Sequence, residues 1–76
     1  MFIYFYDIIT EPENYNKIKR RFYYYFKKSA ISHCKYLTKS TLLIPDELEH
    51  QADFFFNNFI RYLKIYKIKT EEIIEL

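Results

Sequence analysis

The chain contains no glycine, no tryptophan and no valine, and only one cysteine and two prolines. Without glycine it has no phosphate-cradling loop of the P-loop or dinucleotide type, because those loops need a backbone that approaches the phosphate closely. Cys34, alone, leaves no intramolecular disulfide, which excludes a secreted disulfide scaffold and fits a reducing compartment. Long apolar runs are also missing. The opening run Phe2 to Tyr6 is closed by Asp7, far short of the ~18 to 20 residues a membrane span needs. The apolar start has neither a basic leader nor a small-residue cleavage site, so no signal peptide is expected; the setting is expected to be cytoplasmic, with no membrane partner. With 76 residues there is room for one domain with a small core, residues 1–76, and a multidomain enzyme is excluded.

What is present is aromatic and basic. Half of the residues are hydrophobic, 22% are aromatic and the formal net charge is only +2, a balance that predicts a folded domain and not a disordered chain. Eleven Ile, nine Lys, nine Tyr and eight Phe are what an AT-rich genome favours, which suggests a microbial or viral source. Codon bias therefore stands as an alternative to function at individual aromatic and lysine positions.

Phe2 to Ile9 is short, β-branched and aromatic, and predicts a strand. Thr10 and Glu13 have the spacing of a capping box, with Pro12 in the first turn. Tyr15, Ile18, Phe22, Tyr25, Phe26 and Ser29 then recur at three-and-four spacing, predicting a helix from about Glu11 to Lys28. His33 to Thr38 and Thr41 to Ile44, separated by Lys39-Ser40, predict a hairpin. A second helix is predicted after Pro45, with Asp46 and Glu49 as its capping box and a stripe at Leu48, Ala52, Phe55, Phe59, Tyr62 and Tyr66. The tail Lys67 to Leu76 reads either as a strand through Ile68 and Ile73 or as a short helix capped by Thr70. The order strand, helix, hairpin, helix, strand points to an α+β, ferredoxin-like βαββαβ domain with both helices on one face of an antiparallel sheet.

That plan leaves one face of the sheet bare. The first strand carries two alternating sets, Phe2, Tyr4, Tyr6 and Ile8 against Ile3, Phe5, Asp7 and Ile9, and both are largely apolar. The helices cover one set, so the other predicts a homodimer or a partner surface. Phe2, Tyr4 and Tyr6 are assigned to that interface. Phe54 joins them, because three consecutive phenylalanines on a helix cannot all face one core.

Charge is segregated along the chain. Lys17, Lys19, Arg20, Arg21, Lys27, Lys28, Lys35 and Lys39 occupy a stretch without an acidic residue, whereas Asp46, Glu47, Glu49 and Asp53 cluster after it. On a helical wheel Lys17, Arg20, Lys27 and Lys28 fall opposite Phe22, with Tyr24 among them. Lysine and arginine displace the counterions condensed on a phosphate backbone, and tyrosine bonds phosphate or stacks on an unpaired base. The expected nucleic-acid contacts are therefore Lys17, Arg20, Arg21, Tyr24, Lys27, Lys28, Lys35 and Lys39. The competing reading is a solvated face of an amphipathic helix.

Asp7 is the other residue of interest, because a carboxylate in an apolar strand is costly to bury unpaired. At the strand's end it is a candidate oxygen ligand for a divalent cation; otherwise it pairs with a lysine or a backbone N–H. His33, Cys34 and His50 lack the spacing of a zinc site or of a Cys-His nucleophile pair. Cys34 reads as a small structural residue.

The opening MFIYFYDI with Asp7 closing the first strand, the basic helix KIKRRFYYYFKK, the hairpin and DELEHQADFFFNNFIRYL together resemble the small CRISPR-associated adaptation protein that accompanies the spacer integrase. The resemblance spans nearly the whole chain, although the chain is short for that family and lacks the glycine expected after the first helix. It implies a ferredoxin-like homodimer that bridges integrase subunits on DNA, with Asp7 as a metal-binding, catalytic aspartate. In a nuclease of this kind Asp7 of each subunit would hold Mg²⁺ near the dimer axis, while Lys17, Arg20 and Arg21 position phosphate. The alternative from another class is a viral or mobile-element protein that binds and inhibits a host protein, without catalysis, through its aromatic surface.

Overall fold

Phe2–Ile8 forms β1, as its β-branched and aromatic side chains dictate, and Pro12–Lys28 forms α1. A turn through residues 29–34 leads to β2 (Tyr36–Thr38) and β3 (Thr41–Ile44). A single 3₁₀ turn, Asp46–Leu48, then enters α2 (Glu49–Asn57), and a second, Ile60–Tyr62, enters β4 (Leu63–Lys69). The computed structural model describes residues 1–76. The strand order is β2-β3-β1-β4 and every pairing is antiparallel, which is the ferredoxin-like α+β arrangement.

The helices bury one alternating set of β1. Phe2, Tyr4 and Tyr6 join Phe22, Phe26, Leu42, Ile44, Phe55, Phe56 and Phe59 in one core cluster. These three residues are therefore core and not interface, which corrects the assignment made from sequence. The two tyrosine hydroxyls are bonded within the chain: Tyr4 donates to Asp53 Oδ1 at 2.6 Å, and Tyr6 shares its hydroxyl with Tyr23 at 3.0 Å and Tyr36 at 2.9 Å. Burial first, and then these bonds, push both phenols above their ordinary range. The bare face belongs to the other set, Ile3, Phe5 and Asp7.

Four other expectations are corrected. Neither capping box forms: α1 starts at Pro12 with no side-chain bond from its cap, and Asp46 turns instead to the Met1 ammonium at 2.5 Å. Tyr15 and Tyr25, placed on the buried stripe by spacing, are exposed; the buried residues of the helix are Ile18, Phe22 and Phe26. The second helix stops at Asn57, and Tyr66 lies on β4, not on a helix. Phe59 and Tyr62 continue the helical spacing by coincidence, but Leu63–Lys69 pairs along its whole length with β1. Beyond Lys69 the chain is neither strand nor helix, and the Thr70 hydroxyl bonds the Glu72 carbonyl at 3.1 Å.

No residue has a positive φ. The favoured primed hairpin turns need positive φ, so Lys39-Ser40 closes the hairpin by another geometry, and the register shifts between Tyr36 and Thr38. The Ser40 carbonyl accepts the Tyr6 N–H at 3.0 Å, which ties the turn to β1.

Lys67 clasps α2 to the sheet. Its ammonium lies over the Phe2 ring, 4.8 Å from the ring centre, and reaches Glu49 at 2.5 Å and Asp53 at 2.9 Å. Burial works to raise the Asp53 carboxyl, but hydrogen bonds from Tyr4 and Lys67 outweigh it and hold the group below the usual carboxylate range. A carboxyl depressed by folding stabilises the fold above its unfolded pKa and loses that contribution as pH falls through its folded pKa. Lys67→Met, which keeps the stem, is expected to cost at most about 1 kcal/mol at neutral pH, because the pair is partly exposed. Melts of the two proteins should converge in acid; an equal gap at both pH values would contradict the clasp.

Candidate nucleic-acid interface

α1 amounts to a wheel with a narrow apolar stripe and a wide basic band. Ile18, Phe22 and Phe26 are buried, and from Lys17 to Lys28 every other side chain except the half-buried Tyr23 is exposed. All charged residues in that interval, Lys17, Lys19, Arg20, Arg21, Lys27 and Lys28, are cations, and none of them forms an ion pair. The chain's ion pairs go elsewhere, to Met1 with Asp46 and to Lys67 with Glu49 and Asp53. Asp46, Glu49 and Asp53 are thus engaged away from α1, which presents uncompensated charge.

The band divides into two flanks. Lys19, Arg20, Tyr23, Tyr24, Lys27 and Lys28 line one shallow hollow along α1. Arg21, Tyr25 and Lys28 border a second, the groove between α1 and α2. Lys28 braces Tyr24, donating to its hydroxyl at 2.6 Å with the ammonium 4.3 Å from the ring centre. Tyr23 is held from behind by Tyr6, so its ring is fixed in the first hollow.

The structure therefore brings together Arg20, Tyr24, Lys27 and Lys28 of the expected contacts. Lys17 stands exposed on the same helix, and Arg21 on its α2 flank. Lys39 lies in the hairpin turn, and Lys35 borders a different hollow with Leu43, Asp46 and Glu47, where acidic neighbours offset it. Sequence reasoning missed Lys19, Tyr23 and Tyr25 as surface residues of this helix. For Tyr25 the misleading signal was its helical spacing; for Lys19 the signal was the absence of any acid around it.

Asp7 lies on the open face, exposed, opposite Lys64 of β4. No three His, Cys, Asp or Glu side chains gather anywhere in the chain to hold a metal ion. The Mg²⁺ site expected at Asp7 takes one aspartate from each of two subunits; within one chain the residue opposite that carboxylate is Lys64. Cys34 packs against the core, and burial pushes its thiol up, away from the reactive thiolate. No helix is long and apolar enough to cross a membrane.

Comparison of the chain with family models, curated proteins and solved structures finds no match in any of the three. The fold is one that serves many unrelated functions, so function must be argued from the surface itself.

Proposed function

We propose that this protein binds nucleic acid through the outward face of α1. The observation that carries the reading is the run of six unpaired cations from Lys17 to Lys28, with Tyr23 and Tyr24 set among them. An amphipathic helix needs only a polar outer face; ordinary solvated faces mix signs, and this one does not. The resemblance of the sequence to the CRISPR adaptation subunit points the same way, to a nucleic-acid partner and a two-fold dimer.

The test is fluorescence anisotropy of labelled single-stranded and duplex oligonucleotides at low and near-physiological salt. Log K is expected to fall linearly with log salt, by roughly 0.7 to 0.9 for each phosphate neutralised. No binding at low salt would return α1 to a solvated face and favour a protein partner.

The open sheet face supports a second element of the proposal, a homodimer. Leu43, Ile3 and Ile68 form one cross-strand row and Phe5 and Tyr66 the next, beside the buried Thr41, ending at Asp7 and Lys64. Phe5 is 39% exposed and Tyr66 57%. Asp7 and Lys64 form no ion pair within the chain. In a two-fold dimer each can meet its opposite from the second copy, so the face is self-complementary. Sedimentation equilibrium should give a dimer that Phe5→Lys converts to a folded monomer; a wild-type monomer at about 100 μM, well above the Kd of standard-sized interfaces, would remove this element.

A further inference from the structure

We propose that the groove between α1 and α2 receives unpaired bases, so that the preferred ligand of this protein is single-stranded nucleic acid. The inference rests on the nucleic-acid reading above and narrows its substrate class. The groove has a volume of about 710 Å³. Phe55 and Phe59 form its floor, Tyr25 and Phe54 its walls, and Arg21 and Lys28 its cationic rim on α1. His50 and Gln51 close the α2 side, and no carboxylate lines it.

Two features distinguish this groove from a casual gap between helices. Phe54 is 71% exposed although Phe55 and Phe56 beside it are buried, and Tyr25 is 52% exposed. Tyr25 is nonetheless held: its ring packs against Tyr24, with centres 5.3 Å apart, and against Phe59 at 6.2 Å. The rim is also continuous with the basic crest, since Arg20, Arg21, Tyr24 and Tyr25 share a hollow of their own and Lys28 borders both flanks. A strand whose phosphates follow the crest can therefore turn its bases into the groove.

A duplex cannot use these rings. Its base faces are stacked on one another, and it offers α1 only phosphate, leaving Tyr25 and Phe54 in water. An unpaired base has a free face of any sequence, and stacking on an aromatic side chain beside a cation is the general mode of single-strand recognition. An acidic amphipathic peptide matches the rim charge too, but it makes no particular use of flat rings.

The test exploits the absence of tryptophan from the chain. Phe54→Trp places a sole indole in the groove wall, and its emission is followed during titration with an oligothymidylate of about 12 nucleotides and with a hairpin duplex. Quenching by the single strand and not by the duplex is expected. Phe54→Ala should weaken single-strand binding roughly 5- to 100-fold, leave duplex binding and the melting temperature unchanged, and be matched by Phe54→Leu, which keeps apolar bulk without a ring. Equal affinity for both nucleic acids with no quenching overturns the inference while leaving the basic-face reading intact. No binding of either overturns both. Quenching only by an acidic amphipathic peptide assigns the groove to a protein partner and overturns the inference as well.

Discussion

Phe22→Ala is expected to bring the protein to the edge of unfolding. Phe22 is completely buried, and its ring lies 5.0 to 5.3 Å from the rings of Tyr6, Tyr23, Phe55 and Phe59. It touches the sheet through Tyr6, α2 through Phe55 and the turn after α2 through Phe59, so its loss opens a cavity that no single element can close. Truncation of a buried phenylalanine costs about 3 to 5 kcal/mol. A domain of 76 residues has a total stability of only about 4 to 11 kcal/mol, and a glycine-free, single-cysteine chain has no disulfide in reserve. Urea melts should show a large fall in midpoint, with Phe22→Leu intermediate and Phe54→Ala nearly neutral. A loss for Phe22→Ala below about 1 kcal/mol would contradict the packing described.

The second large effect is expected from charge on α1. Arg20→Glu combined with Lys27→Glu replaces two cations by two anions on the hollow that holds Tyr23 and Tyr24. At low salt the affinity for nucleic acid should fall by roughly 100-fold or more, and the dependence of log K on log salt should become shallower by about 2. The fold should survive, because both side chains are exposed and unpaired and the exchange relieves repulsion along the helix. Lys35→Glu with Lys69→Glu changes the net charge by the same amount away from α1, and affinity should hardly change. Equal losses in the two double variants would mean that net charge alone attracts nucleic acid and that α1 is no special surface.

Much of the fold is written locally. Asp7 interrupts an apolar strand, Pro12 opens a helix, Lys39-Ser40 separates two β-capable segments, and the Leu48, Ala52, Phe55 spacing marks α2; each survives in the structure. What local pattern does not hold is the choice of face and the point of transition. Both sets of β1 are apolar, so burial of Phe2, Tyr4 and Tyr6 is decided by where the helices cross and by hydroxyl partners at Asp53, Tyr23 and Tyr36 that are distant in sequence. The end of α2 is equally non-local. Residues 58–66 fit a helix by spacing, and only pairing with β1 draws Leu63–Lys69 into the sheet.

The candidate site divides in the same manner. The basic band of α1 is visible in the residues, because one helix sets its angular order. The groove with Phe54 and Tyr25 is not visible, since it exists only once α1 and α2 lie side by side. Lys35 and Lys39 looked equivalent to the helix cations in one dimension and are separated from them by the turn of residues 29–34 and by the hairpin.

The most direct measurement is the map of amide chemical-shift changes on adding a short oligonucleotide to isotope-labelled protein. The account predicts shifts confined to α1 from Lys17 to Lys28 and to the facing residues of α2, with Ile3, Phe5 and Tyr66 on the open sheet face unmoved. Shifts centred on that sheet face, or none at low salt, would contradict it.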